Sequence, residues 1–197
     1  MFHTPTEVRS DLSSSAFHLL QYVGKPLAFP AAMDLCDRVP VAAPCDGLRL
    51  AAEAGKSASR EAFRPAFATG DWRVFASYCI ARRLAPNQRV VIPGRPDRTL
   101  RFLVEGSLLQ ESATAHSPSR VLLPGAMLGE DALFSEVSWE PGVRTLEASL
   151  ILELSLPRHK ELTASCPEIG FELLRAAGAV IAARGRTASL PGRLAPN

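Results

Sequence analysis

The sequence predicts a mainly β domain, an antiparallel sandwich or barrel, flanked by helices. Three observations predict it. Between Arg89 and Ser155 the apolar residues fall in short alternating runs, and Gly or Pro punctuates them. Helical spacing precedes these runs from Asp71 and returns after Pro157. No Gly-rich phosphate loop, paired-cysteine site or long apolar span competes with that reading.

Residues 1–70 form an Ala/Pro-rich N-terminal extension with poor periodicity, expected to be partly ordered and to pack in pieces on the rest. A short helix is plausible at 15–23. Pro26, Pro30, Pro40 and Pro44 then forbid a long helix or a central strand. Over 51–62 a helix is expected, weakened by Gly55.

From Asp71 the pattern tightens. Trp72, Phe75, Ala76 and Cys79 recur at helical spacing, which predicts an amphipathic helix over 71–83. Strands follow at 89–92, closed by Pro93-Gly94, and at 99–104. In the second, Leu100, Phe102 and Val104 share one face, and Thr99, Arg101 and Leu103 the other. Gly106 interrupts before a strand at 107–111. Further strands are expected at 119–123, 143–148 and 150–155.

Two helices end the domain. The first is predicted at 157–164. Ser165-Cys-Pro-Glu168 has the form of a capping box for the second. Ile169, Leu173, Ala176 or Ala177, and Val180 make its apolar stripe, so the domain is expected to run over 71–184, with a tail at 185–197.

Composition bounds the function. The 197 residues are 47% hydrophobic and 21% charged, the balance of a globular protein. The net charge of +2 is too small for a strong anion-attracting field. From Ile169 onward Arg175, Arg184, Arg186 and Arg193 face Glu172 alone. That basic stretch reads as a solvated helix face, or as a surface for an acidic partner. Cys36, Cys45, Cys79 and Cys166 are scattered, as expected of reduced, buried thiols in a cytoplasmic protein, with no membrane span and no metal site.

The order of pieces from Trp72 onward resembles the cyclic-nucleotide-binding domain of the catabolite activator and Fnr-type (Crp-Fnr) regulators. Arg89-Val-Val-Ile-Pro-Gly94 matches a strand closing on a glycine turn, and Arg101-Phe-Leu-Val-Glu-Gly-Ser107 matches the next strand and turn. Leu123-Pro-Gly-Ala-Met-Leu-Gly-Glu-Asp-Ala-Leu-Phe134 is similar to the signature leading into the phosphate-binding cassette. Ile151-Leu-Glu-Leu-Ser155 and the helix after it resemble the last strand and its helix. The resemblance implies an antiparallel β-roll or jelly roll (a double-stranded β-helix) with a C-terminal helix.

It also implies a site. A carboxylate at the cassette's glycine-glutamate accepts the ribose 2′-hydroxyl, and Glu130 stands there. Gly129 lets the ligand approach the backbone. Amides of the short helix at Asp131 and Ala132 would point at the phosphate. Where the cassette supplies a phosphate-pairing arginine, this chain has Trp139 and Glu140, and the nearest arginine is Arg144 on the next strand. A hydrogen bond to a charged group contributes about 1.5–3 kcal/mol. Its loss weakens binding about ten- to a hundredfold or somewhat more. Trp139 either fills a vacated pocket, lids it or stacks on a different ligand, or it is an ordinary core or edge aromatic. Gly129-Glu130 is equally readable as a tight turn capping its helix.

Two functions follow. One is a regulatory domain sensing cyclic AMP or cyclic GMP, with its C-terminal helix forming a homodimer or docking on a partner protein. The other is a degenerate domain kept for protein interaction or dimerisation, binding no nucleotide. The residues after Arg184 are too few for a helix-turn-helix, so direct DNA binding is not expected. Gly55-Lys56-Ser57 has Leu50 where a phosphate loop needs glycine, which discards that motif. A cupin metal centre needs histidines converging from strands, and His3, His18, His116 and His159 do not offer that. With no nucleophile elbow either, no catalytic residue is assigned and an enzyme is not expected.

Overall fold

The computed structural model describes residues 42–94, 97–111, 119–134 and 141–188. The helices at its N-terminal side are α1 (Pro44–Lys56) and α2 (Thr69–Ser77). Eight strands follow: β1 (Ile80–Leu84), β2 (Arg89–Val91), β3 (Thr99–Glu105), β4 (Leu108–Gln110), β5 (Arg120–Leu122), β6 (Met127–Leu128), β7 (Val143–Thr145) and β8 (Ser149–Ser155). A 3-10 turn, Glu130–Leu133, stands between β6 and β7, and α3 (Leu156–Ser165) and α4 (Pro167–Ala188) follow β8.

The strands make two antiparallel four-stranded sheets, in the orders β1-β8-β3-β6 and β2-β7-β4-β5. Alternation along β3 decides what each face meets. Leu103 points between the sheets with Leu84, Val91, Leu108, Leu128, Val143 and Ile151. Leu100, Phe102 and Val104 point the other way, into a core shared with Leu50, Phe63, Phe75, Leu162 and Leu173 from the helical side. One sheet is therefore buried on both faces, which explains the near-continuous burial of β3 and β8.

Part of the N-terminal extension belongs to this core. Pro44 opens α1 instead of breaking it, since a missing N–H costs nothing in a first turn. The Asp46 carboxylate accepts from Ala43 N at 3.1 Å. Gly47 lets α1 and α2 touch: a Cβ there would lie 2.4 Å from the Trp72 carbonyl oxygen. Phe63 is wholly buried, its ring 4.6 Å from that of Phe102 and 5.9 Å from those of Trp72 and Phe75.

The expected helix over 71–83 ends early. Asp71 accepts from Ala68 N at 2.8 Å to start α2, but Ile80–Leu84 pairs with β8, Ile80 opposite Glu153 and Leu84 opposite Ser149. Strand pairing overrides the helical spacing at that point. The expected capping box also differs. Ser165 closes α3, and the Cys166 carbonyl accepts from Gly170 N at 3.1 Å to open α4. The basic stretch is not uniformly solvated: Arg175 pairs with Glu172 on the surface, whereas Arg184 continues the buried stripe of Ile169, Leu173, Ala177 and Val180. Cys79 is wholly buried, and its thiol donates to the Phe75 carbonyl at 3.4 Å while burial pushes its pKa up; Cys45 is exposed.

His159 on α3 is 7% exposed, and its Nε2 has no partner among the described residues. Burial disfavours the imidazolium and lowers the pKa from the usual 6.5. The unfolded chain therefore takes up the proton more readily, and His159 costs the fold stability as pH falls below the unfolded value. Urea midpoints at pH 7.5 and 5.5 are expected to fall further for the native chain than for His159→Gln. Equal falls would show that another group carries the acid sensitivity.

Candidate functional site

The site begins with a turn. β6 runs antiparallel to β3, with Arg101 opposite Leu128, and the chain must then pass from strand into 3-10 turn within one residue. Gly129 does this at φ +79°, the left-handed region that favours glycine. The close neighbour is the protein itself, because a Cβ on Gly129 would lie 2.3 Å from the Thr99 carbonyl oxygen. The glycine is thus explained by packing against β3 alone.

Glu130 is not so easily explained. It is the first residue of the 3-10 turn and is 1% exposed. One carboxylate oxygen, Oε1, pairs with the Arg184 guanidinium of α4. The other, Oε2, is buried with no hydrogen-bond partner among the described residues. A buried carboxylate oxygen without a donor is costly and uncommon in native proteins.

Arg184 is held from three sides. Its Nη2 donates to the Met127 carbonyl at 2.7 Å, its Nε to Glu61 Oε2 at 3.1 Å, and its Nη1 faces Glu130. Glu61 accepts in addition from Arg120 Nη1 at 2.6 Å, and Arg120 Nε donates to Gln110 at 2.7 Å. Burial and the like charge of Arg120 pull the Arg184 pKa down to about 10, which the Glu61 carboxylate opposes. The guanidinium stays protonated at neutral pH. Arg184 and Arg120 also line a cavity of about 500 Å³, with Glu53, Lys56, Glu61 and Leu123 among its walls.

Of the expected residues, Gly129, Glu130 and Asp131 stand together at the turn, with Asp131 exposed and its carbonyl accepting from Phe134 N at 3.0 Å. The side chain of Ala132, and Trp139 and Glu140 altogether, lie outside the described residues. Arg144 sits on the other sheet, where it donates to Asn87 at 2.6 Å and lies 4.0 Å from Glu111. Sequence reasoning missed Arg184, Glu61 and Arg120. A signal existed for the first alone: Arg184 falls four residues after Val180, on the buried stripe of its helix.

Neither a family model nor a curated protein matches the sequence. Solved structures do match in shape. A cyclic nucleotide-binding domain from Methylobacillus flagellatus KT superposes with a TM-score of 0.64 at 16% identity, over 78% of this chain and 89% of that one. The catabolite activator protein of Thermus thermophilus gives 0.54 at 21% identity, over 62% of this chain and 57% of that one. The fold is the cyclic-nucleotide-binding β-roll of the Crp-Fnr regulators. The c-di-GMP-responsive regulator CLP of Xanthomonas campestris shares it too, with a TM-score of 0.50 at 23% identity over 62% of this chain and 63% of that one. This β-roll spans little more than half of the Thermus activator's length. At these identities the likeness is one of fold, and the chemistry of the site has to be argued from its own residues. Among the described residues no helix is long and apolar enough to cross a membrane, and no cluster of three or more His, Cys, Asp or Glu could hold a metal.

Proposed function

We propose that this β-roll is a cytoplasmic, non-enzymatic regulatory domain that senses a cyclic nucleotide, cyclic AMP or cyclic GMP, at the Gly129-Glu130 turn. One observation carries the reading: the buried Glu130 Oε2 lacks a donor, and a ribose hydroxyl is a donor of the right kind. The turn is tied to α4 through Arg184, so a ligand at Glu130 acts on the helix that faces a second copy or a partner protein.

A second reading is a protein-interaction module that binds no nucleotide. It is favoured by Trp139 and Glu140 standing where the phosphate-pairing arginine belongs, and by Phe171, 65% exposed on α4. Calorimetric titration with cyclic AMP and cyclic GMP separates the two. The sensor reading expects micromolar binding that Glu130→Ala abolishes. No heat up to millimolar ligand retires it in favour of the interaction module.

A further inference from the structure

We propose that the outer edge of β5 is a docking site for an extended segment of a partner protein, apolar at alternate positions and carrying an acidic residue, which adds to the sheet as a further strand. It enters the cleft between β5 and the end of α1. Glu130 does not line that cleft, so the proposal stands or falls apart from the cyclic-nucleotide reading.

The register shows that the edge is open. β5 ends its sheet and pairs with β4 alone. Toward β7, β4 offers the Ser107 carbonyl, which accepts from Leu146 N at 2.9 Å, and Glu111 N, which donates to the Gly142 carbonyl at 2.8 Å. Backbone groups alternate sides along a strand, so Leu108 and Gln110 face β5, opposite Leu122 and Arg120. Val121, between those two, therefore turns its N–H and C=O away from β4. Among the described residues no strand pairs with it on that side.

The cavity of about 500 Å³ runs along this edge. Its walls are 120–124 on one side and 56–59, 61 and 62 on the other. Leu122 is 6% exposed and packed between the sheets, whereas Val121 and Leu123 are 53% and 61% exposed. A cavity that touches all three follows the backbone edge and not one face of the sheet. Its volume falls within the range of ligand clefts, about 300–1,000 Å³.

The lining sets the chemistry of the occupant. Outward backbone groups call for an extended main chain with donors and acceptors of its own, which is strand addition. Val121 and Leu123, two residues apart on one side, call for apolar side chains at alternate positions. Arg120 heads the same edge and selects an acidic residue. Its side chain is 35% exposed, and of its five N–H groups Glu61 and Gln110 take one each among the described residues. Across the cleft the Ser57 and Ser59 hydroxyls accept from backbone N–H groups at 3.2 and 3.1 Å, and a hydroxyl that accepts still has a proton to give to a carbonyl.

The test lets the edge choose its occupant. Short random-sequence peptides displayed on phage are panned on the full chain, and the enriched ones are synthesised and titrated by fluorescence anisotropy. Enriched sequences are expected to carry an acidic residue among alternating apolar ones and to bind at micromolar concentration. Proline at 121 removes the outward N–H and no bond to β4, so Val121→Pro should weaken binding about tenfold or more. Arg120→Gln should weaken it about two- to fivefold. An N-methyl scan of the tightest peptide on the native chain needs no variant, and losses at every second position are the signature of an added strand. The absence of any enriched peptide, equal affinity for a folded Val121→Pro, or losses without that period overturns the proposal. A native chain that is dimeric, and monomeric as Val121→Pro, gives the edge to a second copy and overturns it as well.

Discussion

Phe63→Ala is expected to lower the unfolding free energy by about 3–5 kcal/mol, the range for deleting a fully buried aromatic. Phe63 belongs to a stretch that composition marks as an extension, yet its side chain is completely buried. Four rings surround it, those of Phe67, Trp72, Phe75 and Phe102, with centroids between 4.6 and 6.4 Å away. The backbone is anchored there as well, Phe63 N donating to the Gly125 carbonyl at 2.9 Å. The cavity left by alanine cannot collapse easily, because β3 supplies one wall and α2 another. Urea unfolding of the two proteins measures the difference. A loss below about 1 kcal/mol, as for an exposed position, would mean that residues 42–68 pack loosely and that the β-roll stands without them.

Arg184→Ala is expected to cost a similar amount, about 3–5 kcal/mol, for a different reason. Removing one member of a buried ion pair leaves the other charge in low dielectric without compensation. Glu130 is 1% exposed, and its second oxygen already lacks a donor, so no neighbour among the described residues takes over. The double variant Glu130→Gln, Arg184→Ala should recover much of the loss, since a neutral amide is far cheaper to bury than a carboxylate. A double-mutant cycle by thermal unfolding isolates the coupling. A cost of about 1 kcal/mol or less, typical of exposed ion pairs, would show that water reaches Glu130, and the donor-less oxygen would lose its meaning.

Several features were legible in the sequence because they depend on near neighbours. The alternation in 99–104 gives β3 its two faces whatever lies beyond them, and the structure covers both. The stripe Ile169, Leu173, Ala177 and Val180 is buried as its spacing requires. Misreadings arose where a distant partner outweighed a local preference. Ile80 follows a helical pattern that fits Cys79, but β8 offers it an edge to pair with, and Tyr78 ends the helix. Pro44 read as a breaker within a proline-rich stretch, although the same residue is tolerated at a helix start.

The sequence by itself determined an antiparallel β domain flanked by helices, through its local periodicity, and its resemblance to the Crp-Fnr domain pointed to the β-roll and to the Gly129-Glu130 turn. The tertiary structure alone decided which charges meet. Arg184 and Glu61 stand 123 positions apart, and no spacing rule links them. An arginine in water and one folded against a buried carboxylate are the same letter in a sequence. The difference between them is where α4 lies on the sheet, and the packing of the whole core sets that position.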